Sequence, residues 1–266
     1  MNKYKALIVD FDGTLVDENF YLSPKVKNTV INLEKKGIIF SIATGRPYQG
    51  IVKEICESMD FSSPQIVNGG AQIIDPKTNK PIWSEFFPKD SASKLIKYFF
   101  DKGYDFGVEG KDFIFRTKKK ITAYGLNIDF VDIKKIDYSK VLKMVLFDVA
   151  SIDDSGIVEE QLNYLYKDLH FIRSGKQGSL LVLDITSQKA TKHLAVLELS
   201  KILNINTSLM IGVGDGYNDY PLLSACGYKV AMENAPKELK EIANLVVPDV
   251  KHDGLVTLIN NLYNMQ

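Results

Sequence analysis

Two aspartates, Asp10 and Asp12, stand two residues apart in LIVDFDGTLVD, directly after a run of apolar residues. In locally extended chain, residues two apart face the same way. Both carboxylates can therefore point into one crevice, where their repulsion needs a cation or a shared proton to offset it. A solvated turn is the competing reading of this spacing by itself, because Asp-Gly is a common turn pair. A second acidic group, Asp215 and Asp219, follows another apolar run in LMIGVGDGYNDYPLL. Glycines 212, 214 and 216 permit close backbone approach there, and Asn218 adds a neutral hydrogen-bonding group. A glycine-rich turn leading into a helix accounts for Asp219 alone, since a helix N-terminus favours its charge. It does not account for four aspartates at the ends of two buried-type strands. Oxygen donors without a Cys/His cluster are a set for Mg2+ rather than zinc. His170, His193 and His252 lack zinc-site spacing.

Three further stretches carry chemistry-bearing types. In SIATGRP, Thr44 precedes Gly45 and Arg46 at a strand end; a hydroxyl with free backbone N–H groups suits phosphate, and a helix cap is the alternative. In VNGGA, Asn68 and Gly69 either bring backbone close to a ligand or make a plain turn. In DITSQKATKHLAV, Lys189 and Lys192 stand at the start of a helix. An ammonium there would offset charge on a phosphoryl group, while a solvated helix face is the ordinary place for any one lysine.

The elements that must position these groups are legible in the patterning. KALIVDF, IIFSIAT and TSLMIGVG are apolar without alternation, as strands of a parallel sheet covered on both faces are. Between the first two, SPKVKNTVINLEKKG reads as a helix capped by Ser23, with Pro24 at its first position and Gly37 as its stop. Strand–helix alternation of this kind is the α/β signature. From about Phe86 to Asp184 the pattern changes to alternating strands and two amphipathic helices, a compact α+β unit. The expectation is a discontinuous core of residues 1–85 and 185–266, with residues 86–184 inserted at a surface loop.

Bulk properties bound the function. Lysine plus arginine and aspartate plus glutamate both number 33, so formal net charge is zero and nothing steers the chain to nucleic acid or an anionic membrane. No apolar run approaches the 18 or so residues of a membrane span. The N-terminus lacks a signal-peptide pattern. Two cysteines, Cys56 and Cys226, in apolar surroundings read as buried free thiols in a reducing, cytoplasmic setting.

DFDGT, Thr44 in IATGRP and GDGYND, in that order across essentially the whole chain, resemble the motifs of the haloacid dehalogenase-like (HAD) hydrolase superfamily. With VNGGA and VAMENAP they are most similar to its Cof-type, IIB-capped phosphatases. The resemblance implies a Rossmann-like parallel-sheet core with an inserted α+β type IIB cap. It implies Asp10 as nucleophile, forming an aspartyl-phosphate, and Asp12 as general acid and then base. Thr44 would hold a phosphoryl oxygen. Asp10, the Asp12 carbonyl and Asp215 would bind Mg2+, with Asp219 supporting them. Gly45, Arg46, Asn68, Gly69 and Asn218 fall around the phosphate and substrate. The motif lysine aligns with Lys192. Lys189 is its substitute, because His193 and Lys189 stand where the family commonly has glycine. In the cap, Arg173, Lys176 and Gln177 reach a polar leaving group if their turn faces the crevice; otherwise the turn is simply exposed.

The implied activity is Mg2+-dependent hydrolysis of small phosphorylated metabolites, sugar phosphates first, by a monomer or small homo-oligomer. A phosphomutase using the same core and a catalytically silent metabolite-binding protein are the alternatives.

Overall fold

The computed structural model describes residues 3–118, 130–149, 157–174 and 182–263. The apolar runs form a five-stranded parallel sheet in the order β13-β12-β11-β1-β2, in chain-order labels. Its strands are β1 (Ala6–Val9), β2 (Ile39–Ile42), β11 (Met210–Gly214), β12 (Tyr228–Met232) and β13 (Leu245–Val247). β1 is buried throughout, and its residues alternate between two cores. Leu7 and Val9 meet Val30, Leu33 and Leu258 from helices α1 (Pro24–Lys35) and α8 (Gly254–Tyr263). Ala6 and Ile8 meet Ala195, Leu199 and Leu223 from helices α5 (Lys192–Leu203) and α6 (Tyr220–Ala225). Burial on both faces is why these strands carry no polar alternation.

Local signals set the helix starts. Ser23 accepts from the Lys25 N–H ahead of Pro24, and Thr191 accepts from the Leu194 N–H ahead of Lys192. In the next stretch, RPYQGIVKEICESM, the second helix starts only at Ile51, because Pro47 and Gly50 (φ 50°) interrupt the approach.

At the β2 edge, β3 (Gln65–Val67), β4 (Gln72–Asp75) and β5 (Lys80–Ser84) make a small antiparallel sheet. It joins the parallel sheet through the Ala43–Ile66 bridge. A second five-stranded sheet, wholly antiparallel, follows the order β7-β6-β8-β10-β9. Its strands are β6 (Phe106–Gly110), β7 (Ile114–Arg116), β8 (Val141–Leu146), β9 (Leu169–Ser174) and β10 (Val182–Ser187). Helices α3 (Lys89–Asp101) and α4 (Ile157–Leu165) belong to this unit, and Leu95, Phe99 and Leu162 pack on Phe106, Met144 and Leu183 from one face of the sheet. The architecture is thus an α/β core with an added antiparallel sheet, the form the HAD resemblance implies. Helix α7 (Lys237–Ile242) and α2 (Ile51–Ser58) complete the core layers.

Both cysteines are free and buried. Burial pushes each thiol up to about 12, which makes them packing groups rather than nucleophiles. Among the described residues, no helix is long and apolar enough to cross a membrane.

Candidate active site

Parallel pairing brings the motif residues together. Val9 pairs with Val213 on one side and with Ile42 on the other. The residues just past these positions emerge side by side at the carboxyl end of the sheet, where open α/β sheets bind ligands. They are Asp10, Asp215 and Thr44. Asp10 and Asp215 are buried, and Thr44 and Asp219 are fully so.

Asp10, Asp215 and Asp219 each offer a carboxylate oxygen within 4.8 Å of the others. Lys192 enters from the first turn of α5. Its Nζ donates to Asp10 Oδ1 at 2.5 Å and to Asp219 Oδ1 at 2.6 Å. Burial, then Asp219, push Asp10 well above the usual carboxylate range, and Lys192 opposes them. Burial by itself would lower the Lys192 ammonium, but Asp10 and Asp219 outweigh it and raise its pKa. Of the two candidate lysines, Lys192 is the one at the carboxylates; Lys189 is exposed in the turn before the helix.

The other oxygens show how the carboxylates differ. Asp219 Oδ2 accepts from the backbone N–H groups of Asp215 (3.0 Å) and Gly216 (2.9 Å), so protein donors hold both its oxygens. Gly214 admits it: a Cβ there would sit 2.4 Å from Asp219 Cβ. Asp215 accepts from the Thr14 hydroxyl on Oδ1 (3.0 Å) and from the Asn234 amide on Oδ2 (2.7 Å). Three buried carboxylates face one ammonium, a negative excess that is costly in a dry site without a cation. An all-oxygen donor set with excess negative charge fits a hard divalent ion. Asp10 and Asp215 have the geometry to hold one, with Asp219 fixed behind them.

Asp12 is not part of this trio, though its charge is felt at Asp10. Arg46 donates to Asp12 from Nε (2.8 Å to Oδ2) and Nη2 (2.8 Å to Oδ1), while the guanidinium lies 4.6 Å from the Phe20 ring. The sequence reading put Arg46 near substrate; the structure puts its guanidinium on the Asp12 carboxylate. Thr44 Oγ1 accepts from the Arg46 N–H at 3.1 Å, leaving its own hydrogen to donate. Asn68 and Gly69 brace this loop: their N–H groups donate to the carbonyls of Arg46 and Thr44, both at 2.9 Å. The Asn68 side chain donates to Gln72. Gly69 and Asn218 line the narrow cleft between the core and the antiparallel sheet, as do Gly45 and Lys192.

That cleft also contains residues the sequence reading missed, His170, Asp184 and Thr186. Among the described residues His170 Nε2 is buried without a hydrogen-bond partner, and burial lowers its pKa. Lys143 lies beside Asp184, with Nζ 2.8 Å from Oδ1. The one signal for Lys143 was a lone charge inside the apolar run VLKMVL. Arg173 is not brought to the cleft. It pairs in register with Leu183, whose side chain is in the helix-covered core, whereas His170 and Ile172 take the opposite face. Lys176 and Gln177 lie outside the described residues.

Residues 7–259 match the model of the haloacid dehalogenase-like hydrolase family, so the chain belongs to that family. A putative phosphatase of Haemophilus influenzae is 25% identical over 265 residues, covering 98% of each chain. The 5-amino-6-(5-phospho-D-ribitylamino)uracil phosphatase of Bacillus subtilis is 26% identical over 294 residues, covering 98% of this chain and 99% of its own. A haloacid dehalogenase-like hydrolase from Bacteroides thetaiotaomicron superposes with a TM-score of 0.83 at 22% identity, covering 98% of this chain and 100% of that one. A HAD subclass IIB sugar phosphatase superposes at 0.81 and 22%, covering 97% and 98%. Fold, family and the aspartate cluster support phosphoric monoester hydrolase activity through a metal-dependent aspartyl-phosphatase mechanism.

Proposed function

We propose that this chain is a Mg2+-dependent phosphatase of small phosphorylated metabolites, with Asp10 as the nucleophile. The observation that carries the reading is the Asp10 carboxylate, buried, gripped on one oxygen by Lys192 and set beside Asp215. Lys192 offsets the repulsion between this carboxylate and an incoming phosphate. The second Asp10 oxygen attacks phosphorus; the O–P bond forms as the ester bond breaks. Asp12, released from Arg46 and protonated, gives its proton to the leaving oxygen. Asp12 then takes a proton from water, which attacks the same phosphorus and frees Asp10 and phosphate. The Thr44 hydroxyl and the Gly45 N–H hold the phosphoryl oxygens. Mg2+ on Asp10, Asp215 and the Asp12 carbonyl would offset phosphoryl charge in both steps.

In this reading residues 1–85 and 185–266 are the core and residues 86–184 the cap of a Cof-type, subclass IIB enzyme. The last cap strand runs on to Ser187 before Thr191 opens α5. Sugar phosphates are the first substrates to try, since the cleft wall is polar and uncharged groups such as Thr186 and Asn218 alternate with charged ones. The two buried free thiols fit a cytoplasmic enzyme, working as a monomer or small homo-oligomer with no nucleic-acid or membrane partner.

The test is phosphate release across a panel of phosphorylated metabolites, with and without Mg2+, beside Asp10→Asn. Metal-dependent release that the variant loses is the expected result. Silence toward every compound, or an Asp10→Asn enzyme as active as the parent, would overturn it.

A further inference from the structure

The loop 44–46 has three successive carbonyls, and each has a partner. Thr44 O accepts from the Gly69 N–H and Arg46 O from the Asn68 N–H, both within the core. The middle one, Gly45 O, is taken from across the cleft by Lys143 Nζ at 2.7 Å, 98 residues away in the chain. Lys143 is 4% exposed, and the same ammonium is paired to Asp184 on the neighbouring strand. Asp184 and Glu109 outweigh burial and keep Lys143 a cation. The approach is close: a Cβ at Gly45 would be in van der Waals contact with Nζ (3.4 Å) and Asp184 Oδ2 (3.5 Å). The loop in question presents Thr44 to the site and aims Arg46 at Asp12. Around this contact the cleft has a volume of about 20 Å3, room for one water rather than a metabolite. Any parting of the two sheets to admit a metabolite here breaks the Lys143–Gly45 hydrogen bond.

We propose that Lys143, held by Asp184, is the positioning residue that latches the antiparallel sheet onto the Thr44–Arg46 loop, so that the loop is fixed for chemistry only when the cleft is closed. The inference rests on the phosphatase reading for its kinetic consequence, and not for its structural one. Lys143 touches no reacting atom; it acts through the Gly45 peptide.

Lys143→Met alone removes the ammonium beside the largely buried Asp184, which destabilises the fold by itself. The decisive variant is therefore Lys143→Met with Asp184→Leu, an apolar pair that removes both charges and the bond to Gly45. Two readouts are taken. With the best metabolite, kcat should fall about 100-fold, the order expected of a misplaced site, while KM moves by less than about threefold. Lys143→Arg, which keeps both charge and donor, should recover most of the loss. By hydrogen exchange, the amides of Arg46, Asn68 and Gly69 should lose protection in the double variant, while cap amides such as Ile185 keep theirs. If the pair merely stabilises the cap, the double variant restores kcat and leaves the three loop amides protected; either finding overturns the latch. Should the parent enzyme release no phosphate at all, the phosphatase reading fails, and the exchange measurement still decides the latch.

Discussion

Asn234, in the VAMENAP stretch, was not singled out as a site residue, yet its amide donates to Asp215 Oδ2 at 2.7 Å and helps fix how that carboxylate faces Asp10. Replacing it with alanine has two opposing effects on a bound dication. Freeing an oxygen leaves more electron density for the cation. Losing the bond lets a buried carboxylate turn away, so that binding must re-order it. A hydrogen bond to a charged group contributes about 1.5–3 kcal/mol, and each 1.4 kcal/mol is about tenfold in affinity. The orienting loss wins, and Mg2+ affinity should fall by about 10–100-fold, the range for groups that hold metal ligands. The Thr14 hydroxyl, at 3.0 Å on Oδ1, limits the loss in the single variant. Thr14→Val should weaken binding less, because its bond is longer. Since both bonds hold one carboxylate, the double variant should depart from the sum of the singles. The assay is a Mg2+ titration of phosphate release, with calorimetric titration of the metal alone as an independent readout. A Mg2+ midpoint within threefold of the parent in Asn234→Ala, alongside reduced kcat, would refute the reasoning and remove Asp215 from the metal site.

Lys192→Met should abolish turnover and cost about 3–5 kcal/mol of stability, because Asp10 and Asp219 lose their ammonium while staying buried; urea unfolding with and without Mg2+ checks it, and Mg2+ should recover part of the loss. Arg46→Met removes the ion pair that Asp12 must leave before it can give its proton, so turnover of poor leaving groups should be kept or rise by up to about tenfold, while p-nitrophenyl phosphate, whose leaving group needs no proton, is unaffected; a loss confined to poor leaving groups would show that Arg46 positions Asp12 for the acid step rather than restraining it. Half-burial raises Glu34 from 4.5 to about 7. An acid raised on folding is at its full stability below about 4.5 and loses stability as pH rises through about 7. Glu34→Gln should therefore stabilise the chain at pH 8, with the gain fading between about pH 7 and 4.5; a gain independent of pH in thermal unfolding would contradict the assignment.

The core site was legible because each of its parts ends a strand with a strong pattern. Asp10, Thr44 and Asp215 all follow apolar runs too uniform for a half-exposed sheet, and parallel pairing of such runs has one common end for ligands. Asp219 was read as a supporting group, and in the structure its oxygens are engaged by Lys192 and two backbone N–H groups. Arg46 was read as a phosphate or substrate group because an arginine after Thr-Gly looks like an anion ligand. In the structure its guanidinium is on Asp12, an aspartate 34 residues earlier that the same fold brings within reach.

The cap face could not be read in the same way, and β9 shows why. In HFIRS, side-chain parity separates His170 and Ile172 from Phe171 and Arg173, and that much is in the sequence. Which set meets the crevice depends on how the sheet docks. A charged residue next to a turn invites the choice of Arg173, but Leu169 and Phe171 are in the buried cap core, and the whole odd-numbered set goes with them. The same parity applied to β8 sends Met144 and Leu146 into the cap core and Lys143 to the other face, opposite Thr186. A lone lysine on an otherwise apolar strand is costly to bury without an anion and an acceptor. Asp184 and the Gly45 carbonyl meet that need, and neither is near Lys143 in sequence. The signal was therefore present as an unexplained charge, and only the docking of one sheet on the other says what it is for.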